Sequence, residues 1–266
     1  MWKRLLADIA ELLGEQAEYR ELLYRMTLRD LKLRYKQTLM GVGWAIFTPL
    51  VNTAVFSVVF MRVAPIDTGM PYPLFAYSGL LAWTFTASAL RFSVTSLTSN
   101  ANLVTKVYFP REIFPFSAVV VSLVDAAIAS VVLAALMAYY GVHPTPTALL
   151  LPIVIVVQVA FTTGIALLLG MGNLFYRDVK YLFEIVLTIW MFVTSVVFPV
   201  QLVGGRLGGV LALNPMTPIV DAYRQVLLQG AWPGPAFWIT AFVSVIVLAW
   251  SWVFFHRSES EFAESV

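Results

Sequence analysis

Apolar residues in this chain fall in long runs, broken by short polar stretches, with no alternation of period two. A helix that crosses a bilayer needs roughly 20 mostly apolar residues at about 1.5 Å rise each. Six segments approach that requirement: Val42–Met61, Leu74–Thr95, Phe114–Tyr140, Ala148–Leu169, Leu182–Val200 and Phe237–Phe255. The third is long enough to tilt, and the fifth is the shortest, with Pro199 near its end. Lipid cannot satisfy free backbone groups, so each must be a helix or a closed barrel strand; their length and lack of alternation select helices. The expected fold is an all-α membrane protein with six transmembrane helices.

Lys and Arg positions orient those spans. Lys3, Arg4, Arg20, Arg25, Arg29, Lys32, Arg34 and Lys36 precede the first. Lys106 and Arg111 lie between the second and third, Arg177 and Lys180 between the fourth and fifth, and Arg257 follows the sixth. The opposite loops hold Arg62, Arg206 and Arg224. Both termini are therefore expected in the cytoplasm, on one side of the membrane as an even six spans requires.

Composition agrees. Of 266 residues, 60% are apolar and 12% charged, against about 25% charged in soluble domains. A net charge of +2 is too small to imply nucleic acid. Without cysteine there are no disulfides and no thiol nucleophiles. His143 and His256 lie far apart and set no metal-ligand spacing, so no metal is expected. The start "MWKRLLADIAELLGEQAEYR" is interrupted by acids and does not read as a signal peptide. The sequence holds no GxxxxGK[ST] phosphate cradle, so it has no P-loop for hydrolysing ATP, and no paired carboxylates or nucleophile in its loops suggest an enzyme.

Two further regions are predicted. Residues 1–40 read as an amphipathic segment in the membrane interface, with cations at headgroup level, ahead of a transmembrane domain over 41–266; simple topology anchoring by those cations explains the basic run equally well. Between the fifth and sixth spans, residues 200–235 are too long and apolar for a plain turn. Glycines break them, "NPMTP" marks a turn, and "IVDAYRQVLLQG" follows with helical spacing and a glycine stop. A re-entrant or surface-lying helix pair on the outer side fits better than a seventh span.

The insert "NLVTKVYFPREIFP" interrupts two apolar runs on the inner side. Lys106, Arg111 and Glu112 make it wettable, Val107, Tyr108 and Phe109 form an apolar knob, and Pro110 fixes a break in the helix. Exposed aromatics framed by charge predict a protein-docking surface rather than a plain connector.

With "RDLKLRYKQTLMGVGWAIFTPL", "GNLFYRDVKYLFE" and "LNPMTPIVDAYR", in this order, that insert resembles the permease subunit of ABC-2-type exporters. These move lipid-linked polysaccharides of the O-antigen or teichoic-acid type. The resemblance spans about Tyr24 to Phe255. It implies a homodimer of six-span subunits, embedded in membrane lipid and seated on two ABC ATPase subunits. ATP and Mg would reside in those partners, with no cofactor in this chain. Cytoplasmic coupling loops would lie at about 98–115 and 173–184, with Lys106, Val107, Tyr108, Phe109, Pro110 and Arg111 as a coupling helix. Arg177 and Asp178 are further coupling candidates; a positive-inside anchor with interfacial aromatics explains that loop equally well.

A polyprenyl-diphosphate glycan would need cations for its headgroup, and Arg25, Arg29, Lys32, Arg34 and Lys36 sit at that depth, Arg29 and Arg34 foremost. Its sugars would pass over aromatic faces that stack weakly on C–H surfaces. The candidates are Trp44, Phe47, Phe56, Phe60, Trp83, Phe85, Phe92, Trp190, Phe192 and Phe198, though aromatics in spans are mostly packing or belt residues. Arg91 and Asp125 lie deepest among ionisable residues and are expected to form an intramembrane charge pair. Asn52, Gln158 and Gln201 are too scattered to define a site. Two other readings stay open: an ABC-2 permease for a drug or lipid, and a proton-coupled secondary transporter, against which the scarcity of intramembrane acids argues.

Overall fold

The computed structural model describes residue 14 and residues 18–106, 109–199 and 202–265. The described residues form helices and connecting turns, without strands. In chain order they are α1 (Arg20–Tyr35), α2 (Gly43–Val58, running into a π-turn at Val59–Val63), α3 (Tyr72–Ser96) and α4 (Ala101–Lys106). Next come α5 (Ile113–Tyr139), α6 (Leu151–Phe175, after a 3-10 turn at Pro146–Leu150) and α7 (Val179–Val193). The last are α8 (Gly205–Ala212), α9 (Met216–Arg224, continued by a π-turn at Gln225–Gln229) and α10 (Pro235–Ser265). Prolines stand in the first turns of α3, α6 and α10, where the missing N–H would have no helical partner anyway. Gly141 and Gly230 take left-handed φ just past α5 and the π-turn after α9, as helix-ending residues do.

Four of these helices are long and apolar enough to cross a membrane: Gly43–Val63, Ile113–Tyr139, Pro146–Phe175 and Pro235–Glu259. The two other expected spans depart from the pattern for different reasons. Helix α3 has 25 residues, about 37 Å, but includes Ser78, Thr84, Thr86, Ser88, Arg91 and Ser93. It is packed by α2, α5, α6, α7 and α9, so Ser78, Thr86 and Ser93 are buried against other helices instead of lipid. The expected fifth span, Leu182–Val200, is corrected: α7 stops at Val193 after 15 residues, about 22 Å, short of a core about 30 Å thick. Residues 194–199 leave the helix, and Thr194, Ser195, Val196 and Val197 are buried. Irregular backbone persists at such depth only where protein surrounds it.

Arg224 does most of that surrounding. The "IVDAYR" run carries it as the last residue of α9, and its side chain is 2% exposed. It donates to the Ser195 carbonyl at 2.6 Å, the Val196 carbonyl at 2.8 Å and the Phe75 carbonyl at 3.1 Å, and to Asp221 at 3.1 Å. Its guanidinium lies 3.5 Å from the Phe75 ring centroid. Reading Arg224 as a loop charge on the far side is thus corrected; its two terminal nitrogens, Nη1 and Nη2, reach carbonyls on separate segments that a lysine could not span. Asn214 completes the joint, accepting from Trp190 Nε1 at 2.9 Å and the Met216 N–H at 3.1 Å while donating to Thr194 and the Val193 carbonyl. Gln158, which seemed isolated, donates to the Ala82 carbonyl and Thr86 and accepts from Tyr223, tying α6 to α3 and α9.

The helices run between two poles. One gathers Val104, Phe109, Phe114, Leu174, Phe255 and Phe262, with Leu22, Leu23 and Met26 of α1 against them. The other joins Leu74, Tyr77, Met137 and Val142 with Leu227 and Leu228, and Thr147 bonds to the Val226 carbonyl. Both ends of the described chain sit at the first pole.

Gly79 of α3 faces the Arg224 guanidinium and the Val196 carbonyl so closely that a Cβ would overlap both. Gly79→Ala should therefore destabilise the protein by about 1–3 kcal/mol, read as a lowered unfolding midpoint in detergent. Gly209→Ala, where a Cβ meets open space, should leave the midpoint nearly unchanged.

Candidate functional site

A cleft of about 520 Å³ opens between α1, α2, α3, α5 and α7. Helical periodicity explains its lining. Thr84, Ser88, Arg91 and Phe92 share one face of α3, and Ser122, Asp125, Ala126 and Ala129 one face of α5. Helix α2 contributes Trp44, Thr48 and Asn52; α7 contributes Leu187, Thr188 and Met191. At one end the last turn of α1 inserts Arg34 and Tyr35.

Arg34 forms an ion pair with Asp125, donates to Ser88 Oγ at 3.2 Å, and stacks its guanidinium 3.7 Å from the Phe92 ring centroid. Tyr35 donates its hydroxyl to the other Asp125 oxygen at 2.5 Å. Burial first, and then the Asp125 carboxylate, hold the Tyr35 phenol well above its ordinary pKa, so it remains a donor at any physiological pH. Arg34 and Asp125 side chains are only 12% and 17% exposed, which leaves the pair weakly screened. Arg34 and Phe92 also line a second cavity of about 300 Å³ between α1, α3 and α5, and stand between it and the cleft.

The expected Arg91–Asp125 pair is corrected. Arg91 makes a two-pronged contact with Glu184 of α7, at 2.7 and 3.0 Å, while Asp125 of α5 pairs with Arg34 and Tyr35 of α1. Depth along the spans placed the two charges near one another, but each found a nearer partner on a helix far away in sequence. The headgroup cations divide likewise. Arg34, a foremost candidate, turns inward to Asp125. Arg29 is held by its neighbour Asp30, which also accepts from Ser117, and Arg25 by Glu21. Lys32 and Lys36 are exposed.

Of the ten aromatic candidates, Trp44, Trp83, Phe85 and Phe92 line the cleft. Phe47 sits edge-on to Trp44 at 5.7 Å, and Phe192 is exposed. Trp190 packs edge-on against Trp83 at 5.8 Å, behind the wall. Phe56 and Phe60 instead pack beside Tyr72 and Phe75, and Phe198 lies against the core near Val196 and Val197.

The docking knob is revised more deeply. Phe109 and Pro110 are buried, Phe109 edge-on to Phe114 at 5.5 Å. Arg111 donates to the Glu259 carbonyl at 2.7 Å and the Val104 carbonyl at 3.2 Å, and its N–H to the Glu259 carboxylate at 3.0 Å. The end of α10 covers this face of the loop, which the sequence left bare. Val107, Tyr108 and the Lys106 side chain lie outside the described residues. Arg177 and Asp178 are exposed on the turn between α6 and α7.

Sequence reasoning missed Tyr35, Glu184 and Glu259, weighed His256 only against distant His143, and read Glu112 as a solvated charge, which is corrected: it is fully buried. Tyr35 had a signal, being the neighbour of a chosen cation. His256 and Glu259, three residues apart on a helix, also had one, but buried Glu112 joins them only through the fold.

The family model described as ABC-2 type transporter matches residues 21–228. The chain belongs to the ABC-2 type transporter family. The O-antigen export system permease protein RfbA of Myxococcus xanthus is 30% identical over 260 residues, covering 96% of this chain and 99% of that protein. Two Klebsiella pneumoniae proteins of the same name are 27% and 24% identical, each across 92% of this chain and 94% of their own length. This ABC-2 chain is thus similar along nearly its whole length to proteins named as permeases, and its long apolar helices make it a multi-pass membrane protein.

A double-mutant cycle checks the pairing. Removing Arg34 and Asp125 singly and together should show a coupling of about 0.5–3 kcal/mol in unfolding free energy. The same cycle on Arg91 and Asp125 should show a coupling near zero.

Proposed function

We propose that this chain is the membrane subunit of an ABC exporter for lipid-linked polysaccharide, in the cytoplasmic membrane of a bacterium. It pairs with a second copy and is driven by two separate ATPase subunits, which hold ATP and Mg. Counting α3, and α7 together with the buried segment 194–199 that follows it, as crossings alongside the four apolar helices makes six, which sets both termini on one side; the Lys and Arg distribution favours the cytoplasm. The pole with α1, α4 and the end of α10 is then cytoplasmic, and α8 and α9 lie toward the outside. The names of the relatives support the polysaccharide cargo, and their permease role supports a transport subunit over an enzyme.

The observation that carries this reading is the cleft, which sets cations beside aromatic faces at the end where α1 enters. The diphosphate is drawn to the exposed Lys32 and Lys36 and to Arg29. Sugar rings then slide over Trp44, Trp83 and Phe92, which offer weak contact at several places and hold no single saccharide tightly. Arg34, clamped to Asp125 and stacked on Phe92, closes the inner end of the cleft, so α1 must shift for a glycan to enter. Force from the ATPases reaches the spans through Lys106, Val107 and Tyr108 and through the Arg177–Asp178 turn. Arg111, committed to α10, acts there as an internal strut.

Reconstituted with its ATPase in proteoliposomes, the protein should transport polyprenyl-diphosphate glycan only with ATP. Transport by this chain alone would overturn the exporter reading. Trp83→Ala together with Phe92→Ala should slow transport several-fold, as expected for contacts of about 1 kcal/mol each, with assembly intact.

Charge reversal at Lys106 and Arg177 together should abolish co-purification of the ATPase. Unaffected assembly would remove both from the docking surface.

A further inference from the structure

At the pole that holds the end of α10, three ligating side chains converge. Glu112 sits in the turn before α5 and is fully buried; His256 and Glu259 lie one turn apart on α10. One ligand atom from each lies within 4.8 Å of the other two. Spacing of three on a helix puts His256 and Glu259 on one face, the arrangement by which helices present paired carboxylate and imidazole ligands to metals.

The hydrogen bonding around them is incomplete in one direction only. Glu112 accepts from Trp252 Nε1 at 3.1 Å through one oxygen, and Glu259 accepts the Arg111 N–H at 3.0 Å through one of its own. The other Glu112 oxygen is buried and has no partner, and neither does His256 Nδ1. His256 Nδ1 stands 3.7 Å from the second Glu259 oxygen, too far for a hydrogen bond. Each carboxylate is therefore held by one oxygen; the second Glu259 oxygen faces His256 Nδ1, and the second Glu112 oxygen is buried within the same group of three. A carboxylate oxygen buried without a partner is costly. Arg111, whose guanidinium is 3.5 Å from Glu259, offsets one of the two negative charges and reaches Glu259 alone.

We propose that Glu112, His256 and Glu259 form a binding site for a divalent cation of the zinc class. One imidazole and two carboxylates are a borderline donor set, which suits zinc and its transition-metal neighbours better than calcium or magnesium, whose ligands are oxygens. Trp252 and the Arg111 backbone fix the carboxylate orientations, as outer partners of metal ligands do. A cation there would cross-link the last turns of α10 to the turn that starts α5. The site thereby fixes the loop on which the proposed ATPase contact depends, yet it makes no assumption about cargo.

The chain's two histidines allow a clean test. Full-length protein in detergent, stripped with chelator, is titrated with zinc alone and assayed by calorimetry and thermal unfolding. Wild type should bind about one zinc per chain with a raised unfolding temperature. His256→Gln and Glu112→Gln should each weaken binding at least tenfold and abolish the thermal shift, while His143→Gln, an exposed control, changes neither. Should Glu112→Gln fail to fold, His256→Gln decides, because that side chain is one-third exposed. Zinc binding by wild type no tighter than by His256→Gln, or binding lost on His143→Gln, would overturn the proposal.

Discussion

Everything in this bundle is arranged around a stretch of backbone that is not helical where a helix was expected. Residues 194–199 break from α7, and their carbonyls need donors that lipid cannot supply. Arg224 provides them from a helix about 30 residues later, and reaches the Phe75 carbonyl of α3 with the same guanidinium. A buried arginine is tolerable only when it is paired and hydrogen-bonded, and here Nη1 and Nη2 donate to three carbonyls and to Asp221. Gly79 exists as a glycine because that cluster leaves no room for a side chain. The polarity of α3, the shortness of α7 and the position of α9 are three consequences of one joint.

The same logic shapes the cleft. Asp125 lies on a span, where an ionised carboxylate is expensive without partners. It receives them from Arg34 and Tyr35, adjacent residues at the end of α1. That pairing holds a helix outside the bundle against two helices within it, and it sets Phe92 beneath a guanidinium. In the proposed exporter this makes the last turn of α1 a movable wall: Leu22, Leu23 and Met26 anchor the start of the helix in the apolar pole, while its end is bound by a few strong polar contacts. Contacts of that kind have two discrete states, made and broken, which is what a gate requires.

Local pattern carried much of the fold. The apolar runs located α2, α5, α6 and α10 within a few residues at most ends, and "NPMTP" located the turn before α9. What pattern could not reveal is which polar residues in spans meet. Hydropathy counts Thr86, Gln158 and Arg224 as penalties, because it has no term for a partner supplied by another helix. For the same reason it paired Arg91 with Asp125 by depth, whereas Glu184 and Arg34 were nearer in space. Aromatic candidates fared by the same rule: Trp83 and Phe92 face the cleft, but Phe56 and Phe60 turn toward Tyr72, and nothing in residue type separates them.

The loop before α5 shows how an accurate motif can carry a mistaken surface. Charge and aromatic residues there suggested a knob held out to a partner. Instead Phe109, Pro110 and Arg111 point inward and are covered by the end of α10. A loose knob would yield under load, whereas a loop bonded to two helices passes displacement to both. Arg111 reaches α4 through the Val104 carbonyl and α10 through Glu259, while Glu112 is held by Trp252. A push on the outer side of this loop would therefore move α5 and α10 as one body. On that account the inward half of the motif supplies stiffness, leaving only its outer half to recognise a partner.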